Sequence, residues 1–381
     1  MEKFIFSSRV RNLGNYLFAE IDKEKKLLKE KGKDFIDLSV GDPDVLAPQG
    51  VIEVLYNSAK EKENQKYTLD QGKIELRRAI KEWCRKRFGI KVDEEKEILP
   101  LIGSKEGLVH FALAIVDKDY IIIPSPGYPG YRGAAILAEA KIYELPLKRN
   151  NNFLPDLDEI PIEVRNKAKL IYLNYPNNPT TAVADRGFLE KLVNFCCKYG
   201  IIIAYDNAYS EIYFERKPLS LLEIEGAQEV TCEFHSFSKT FCMTGFRIGW
   251  AMGNRELIGM LAKIKTNIDS GIFGAVQDAA TYALRNEEGY VNNLRQIIKK
   301  RRDFFVEGLK RKGIDQVYAE STFYVWAKIP SMFNSSLSFA KYLLKKGIVV
   351  TPGVGFGKYG EGFVRFALTV EEEKLKEALM R

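Results

Sequence analysis

Ser236-Phe237-Ser238-Lys239, followed by Thr244-Gly245-Phe246-Arg247-Ile248-Gly249-Trp250, sets one lysine among hydroxyls with an arginine eight residues on. Val230 to Phe234, just upstream, reads as a buried strand, so Lys239 points into an interior. A lysine amine attacks an aldehyde only after losing its proton, and burial beside other cations depresses its pKa. Hydroxyl donors and a guanidinium fork suit a phosphate dianion. The stretch therefore has what a covalently held, phosphate-bearing cofactor needs. Any one lysine of a chain with 58 Lys+Arg is ordinarily a solvated charge, and it is the company of Lys239 that argues otherwise.

Upstream, four further segments arrive in order. Leu101-Ile102-Gly103-Ser104-Lys105-Glu106-Gly107 follows an apolar stretch and opens an apolar helical run, Leu108 to Val116. A glycine turn before a helix exposes unpaired N–H groups and the positive end of the dipole, which favours an anion at Ser104 and Lys105. Ser125-Pro126-Gly127-Tyr128-Pro129-Gly130-Tyr131 follows the strand Tyr120 to Ile123 and offers Tyr128 to stack on a flat ring. Leu170 to Leu173 delivers Asn174-Tyr175-Pro176-Asn177-Asn178-Pro179-Thr180, and Ile201 to Tyr205 ends in Asp206-Asn207-Ala208-Tyr209. A carboxylate closing an apolar strand is costly unless paired. Taken singly, each segment also reads as an ordinary turn or cap. No Walker A pattern or convincing dinucleotide fingerprint occurs.

From about Leu38 to Thr369 these motifs resemble those of the fold type I, class I/II aminotransferases, in the same order. The resemblance implies pyridoxal 5'-phosphate carried on Lys239, with Ser236, Ser238 and Arg247 on its phosphate. It also implies Tyr128 against the ring face, Asp206 on the ring nitrogen, and Asn178 and Tyr209 on the phenolic oxygen. Arg365, in Gly362-Phe363-Val364-Arg365-Phe366-Ala367-Leu368, would grip the substrate α-carboxylate, with Gly41 of Val40-Gly41-Asp42-Pro43-Asp44 and Asn178 lining that pocket. A lone arginine in an apolar strand fits a bidentate clamp. Tyr67 would reach the phosphate of a neighbouring subunit, which implies a homodimer with shared active sites. Thr181 stands where the family commonly has glycine, so the turn after Asn178 is expected to differ slightly.

Composition agrees with this reading. The 381 residues, 46% of them hydrophobic, suffice for two domains and a large core. The alternation of apolar strands with helical patterns predicts an α/β fold with a mainly parallel central sheet. A large cofactor-binding domain is expected at 50–285, and a smaller α/β domain from 1–49 with 286–381. Glu287 to Lys312 reads as a long solvated helix linking them, because acids share it with its basic residues. A net charge of +7, interleaved with acids, gives no nucleic-acid surface. Five cysteines without metal-type spacing read as reduced core thiols, and only two histidines are present, so no metal is expected. Without an apolar leader or membrane-length run, a cytoplasmic enzyme is expected.

The implied chemistry is ping-pong transfer of an amino group from an L-amino acid to a 2-oxo acid, with the Lys239 amine moving the α-proton as base and then acid. Lys263 to Gly274 holds no arginine for a distal carboxylate, whereas Asn267, Asp269 and Ser270 offer polar groups. Together with Lys265-Thr266-Asn267-Ile268-Asp269-Ser270-Gly271, the motifs most resemble the family members acting on LL-diaminopimelate on the lysine route. Action on aspartate, alanine or aromatic amino acids is the alternative; a lyase or a cofactor-binding regulator on the same fold fits the motif set less well.

Overall fold

The computed structural model describes residues 4, 6–14, 23, 25–27, 29–30 and 32–381; the other positions of the segment 1–49 lie outside the described residues. Among the described residues, seven strands form the central sheet: β2 (Ile98–Leu101), β3 (Tyr120–Ser125), β4 (Lys141–Pro146), β5 (Ala168–Asn174), β6 (Ile202–Asp206), β7 (Thr231–Ser236) and β8 (Gly249–Gly253). Their spatial order is β2-β8-β7-β6-β5-β3-β4. Only β8 runs antiparallel to its neighbours, so the sheet is mainly parallel. The strands β3, β5 and β6 are near-continuous apolar runs because helices cover the sheet on both faces.

The covering helices follow simple rules. In Arg186–Tyr199 the Asp185 side chain accepts from the Phe188 amide at 2.8 Å, and Gly200 ends the helix at φ 65°. Phe188, Leu189, Leu192, Val193 and Cys196 form its buried stripe. On the opposite face, Ser104–Ile115 contributes Leu108, Phe111 and Ala112, packed with Leu261 of Arg255–Thr266.

A second sheet has the order β12-β13-β10-β9, from β9 (Val317–Tyr318), β10 (Tyr324–Lys328), β12 (Thr351–Pro352) and β13 (Phe363–Ala367). The N-terminal strand β1 (Ile36–Asp37) pairs in parallel with β11 (Ile348–Val349). Beyond it, Ala367 N–H donates to the Leu38 carbonyl at 2.7 Å and the Thr369 hydroxyl to the Val40 carbonyl at 2.8 Å. This threading brings Gly41 beside β13.

The helix Glu288–Arg311 is not the solvated rod its charge suggests. Val291, Leu294, Ile298, Phe305 and Leu309 form a buried face. On that face Arg301 is 8% exposed and clamps Asp44 through two bonds of 2.7 and 2.8 Å. A charged residue at a core position escaped the sequence reading because its partner lies far away in the chain. Cys197 likewise is exposed, unlike the buried Cys84, Cys196 and Cys232; all five thiols are free.

Candidate active site

The parallel strands end on one side of the sheet, where open α/β sheets bind ligands. There Asn174 of β5 lies in register with Asp206 of β6, and Ser236 of β7 with Gly249 of β8. A cavity of about 320 Å³ opens above them. Its walls include Gly41, Ser104, Lys105, Tyr128, Asn178, Asp206, Tyr209, Ser236, Ser238, Lys239, Arg247 and Arg365. The sequence-predicted residues thus converge, with two exceptions. Tyr67 is 94% exposed, and Asn267 caps the C-terminus of Arg255–Thr266, its amide donating to the Lys263 carbonyl at 2.8 Å. Neither lines the cavity of its own chain.

Lys239 lies in the one-turn helix Phe237–Thr240, and its Nζ donates to the Gly41 carbonyl at 2.7 Å. Burial pushes its amine down to about 8, and the Arg365 and Arg247 guanidiniums act in the same direction against nearby Asp42. A neutral, nucleophilic amine is thereby accessible near neutral pH.

Asp206 is 6% exposed, at the cavity wall, and burial raises its carboxyl to about 6. Hydrogen bonds from the Tyr131 hydroxyl at 2.7 Å and the Ala208 amide at 3.3 Å oppose that rise. Such a carboxylate is costly to keep charged without a cationic partner. Asn174 steadies the loop, donating to the Asp206 carbonyl and accepting from the Asn178 amide, both at 2.7 Å.

Opposite, Arg365 of β13 is 1% exposed. It donates to Asn178 Oδ1 at 2.7 Å and to the Ser39 carbonyl at 2.6 Å, and lies 4.0 Å from the Tyr324 ring centre. Since Asn178 spends its oxygen on Arg365, its NH₂ group is left as donor toward the cavity. The Tyr209 and Tyr324 hydroxyls are 2.9 Å apart.

The anion end is built largely from backbone. Gly103 caps Ser104–Ile115 at φ 78°, and a Cβ there would sit 2.6 Å from Arg247 Nη2. The first N–H groups of this 12-residue helix have no intrahelical acceptors. Ser236 Oγ instead caps the next turn, accepting from the Ser238 amide at 3.2 Å. Arg247 holds a left-handed φ of 55°, unusual for a non-glycine residue, and donates to the Thr244 carbonyl at 2.9 Å. Thr181 also stands in that region, at φ 66°; the turn accepts a β-branched residue because Thr181 is locked by Ser321 and Glu320.

Sequence reasoning missed Tyr131, Tyr324 and Asn174. Tyr131 stands one helical turn beyond Tyr128, and that spacing was the available signal. For Tyr324 nothing in the strand pattern separates a site hydroxyl from a core aromatic.

Comparison with known proteins completes the site. The family model for aminotransferase class I and II matches residues 33–381. The LL-diaminopimelate aminotransferase of Aquifex aeolicus is 48% identical over 380 residues, 99% of this chain and 98% of that protein. Among solved structures, apo BacF from Bacillus subtilis superimposes with a TM-score of 0.96 at 35% identity, covering 99% of this chain and 97% of that one. A single mutant of the Thermus thermophilus aspartate aminotransferase gives 0.93 at 28%, covering 99% and 98%. The chain belongs to the class I and II aminotransferases, fold type I enzymes whose cofactor is pyridoxal 5'-phosphate. The cavity fits that group. It offers a depressed lysine amine for the aldehyde, a buried carboxylate for the ring nitrogen, and a glycine-lined cradle of N–H, hydroxyl and guanidinium donors for the phosphate.

Proposed function

We propose that this aminotransferase exchanges an amino group between glutamate and LL-diaminopimelate, working toward LL-diaminopimelate from tetrahydrodipicolinate on the lysine route. The observation that carries the substrate is the 48% identity, across nearly the whole of both chains, to the Aquifex aeolicus enzyme. The absence of arginine from Lys263 to Gly274 argues against a dedicated distal-carboxylate clamp in that segment.

When bound, pyridoxal 5'-phosphate supplies an electron sink for the charge left by loss of the substrate α-proton. Ser104, Lys105, Ser236, Ser238 and Arg247 would hold the phosphate, and Tyr128 would lie on the ring. Asp206 would keep a proton on the ring nitrogen, while Asn178 and Tyr209 donate to the phenolic oxygen. Arg365 and Gly41 receive the α-carboxylate, which turns the α-hydrogen toward Lys239. The Lys239 amine would take that proton as base and give it up again as acid. A neutral amine at the operating pH, as its depressed pKa favours, suits the first of these steps.

The working unit in this reading is a cytoplasmic homodimer, each chain having a large domain at 50–285 and a small one from 1–49 and 286–381. Asn267 and Tyr67 would serve the neighbouring subunit's site.

The test is the visible spectrum of cofactor-loaded protein during separate additions of LL-diaminopimelate, glutamate, aspartate and alanine. Loss of the lysine-bound cofactor band with the first two, and little change with the others, is expected. Conversion by aspartate or alanine with no response to LL-diaminopimelate rejects the substrate.

A further inference from the structure

Beneath the anion turn, and outside the cavity, lies a buried ionic group with no part in the chemistry above. Lys265, in the last turn of Arg255–Thr266, is 0% exposed. Its Nζ bonds Asp269 Oδ1 and stands 3.6 Å from Glu106 Oε1. His110 Nδ1 lies 2.9 Å from the same Glu106 oxygen. Glu106, His110 and Asp269 together have the look of a metal-ligand set, their donor atoms lying within 4.8 Å of one another. The lysine brings its cation to the same cluster, between the two carboxylates, so one of their two charges is compensated from within the chain.

The connections of the cluster point toward the anion turn. Glu106 Oε2 accepts from the Ile102 amide at 2.5 Å, which fixes the residue immediately before Gly103. Glu106 is the third residue of the helix, and it reaches back past the N-cap Gly103 to the amide of the residue before it. On the other side, Asp269 Oδ1 accepts from the Gly271 amide at 3.0 Å, and the Thr68 hydroxyl donates to the neighbouring Ile272 carbonyl at 2.9 Å. Thr68 follows the exposed Tyr67.

We infer that Lys265 is a positioning residue for cofactor phosphate. Through Glu106 it holds the Gly103–Lys105 turn against Arg247, and through Asp269 it holds the segment carrying Tyr67. Deleting its charge leaves Glu106 free to leave the Ile102 amide, and the turn loses its aim. The inference rests on the assignment of this turn to the phosphate.

The experiment measures binding of pyridoxal 5'-phosphate and of inorganic phosphate to cofactor-free protein, alongside its melting temperature, for Lys265→Met, Glu106→Gln and Arg247→Ala. Lys265→Met and Glu106→Gln should each weaken both ligands at least tenfold in protein that is fully folded at the assay temperature. Binding within twofold of the parent for both variants, whatever the melting temperature, overturns the inference. Should Lys265→Met not fold, the charge-free set Glu106→Gln, Lys265→Met, Asp269→Asn is read by the same criterion, since neutral replacement of a buried ion group is commonly tolerated. Arg247→Ala separates the two failures: if it too leaves phosphate binding unchanged, the phosphate assignment is wrong rather than the role of Lys265.

Discussion

Lys239 and Asp206 are both displaced from their ordinary protonation by the same cause, burial, and the displacements are opposite in sense. For Lys239 the neutral form is favoured, so uptake of pyridoxal 5'-phosphate by cofactor-free protein should accelerate with pH around a midpoint near 8. Initial rates of visible-band growth across that range check this; a midpoint at an ordinary lysine value contradicts it. For Asp206 the neutral form is favoured too, so its folded pKa is raised. The group therefore favours folding only at low pH, loses that contribution as pH rises from about 4 to 6, and costs its full amount above. Asp206→Asn should make the cofactor-free protein more stable at pH 7 to 8, by up to about 3 kcal/mol, with the gain closing toward pH 4. Denaturation as a function of pH measures it. The same variant should lose most of its turnover if, as proposed, this carboxylate serves the ring nitrogen.

At the scale of elements, the turns at the carboxyl ends of the strands decide the site, and they depend on absent side chains. A Cβ on Gly249 would meet the His235 carbonyl at 2.6 Å and the Ser104 amide at 2.9 Å. Both are backbone atoms in paired or capped elements and cannot turn aside. Gly249→Ala should therefore cost about 1–3 kcal/mol as overpacking, and should also weaken phosphate binding because it pushes on the Ser104 amide. Denaturant unfolding together with phosphate titration reads both; loss of stability with intact phosphate binding would detach β8 from the anion turn. These elements were legible in the sequence because apolar runs bounded by Gly, Pro and Asn have few other readings. Tyr131, Tyr324 and the Lys265 cluster were not, since their meaning lies in partners 75 and 115 positions away or, for Lys265, on another helix, rather than in local spacing. The long helix Glu288–Arg311 was legible as a helix, but its buried Arg301 was not, for the same reason.

At the scale of the whole molecule, one chain holds almost the entire cavity, yet Tyr67 is 94% exposed and the nearby Leu69 76%. An aromatic and a leucine left so open beside an ordered turn suit burial against a second copy. If Tyr67 serves the partner's phosphate, lesions in Lys239 and Tyr67 on different chains must fall together. Co-refolding or co-expression of Lys239→Ala with Tyr67→Phe chains then yields hybrids in which one site carries both changes and the other carries neither. The mixture should regain activity with the parent's affinity for pyridoxal 5'-phosphate, up to half of the parental turnover per hybrid dimer. If Tyr67 acts within its own chain, every hybrid pairs a dead site with a weakened one, and no site of parental affinity appears. Activity assayed over a cofactor titration distinguishes the two, because only the intact shared site saturates at the parental concentration.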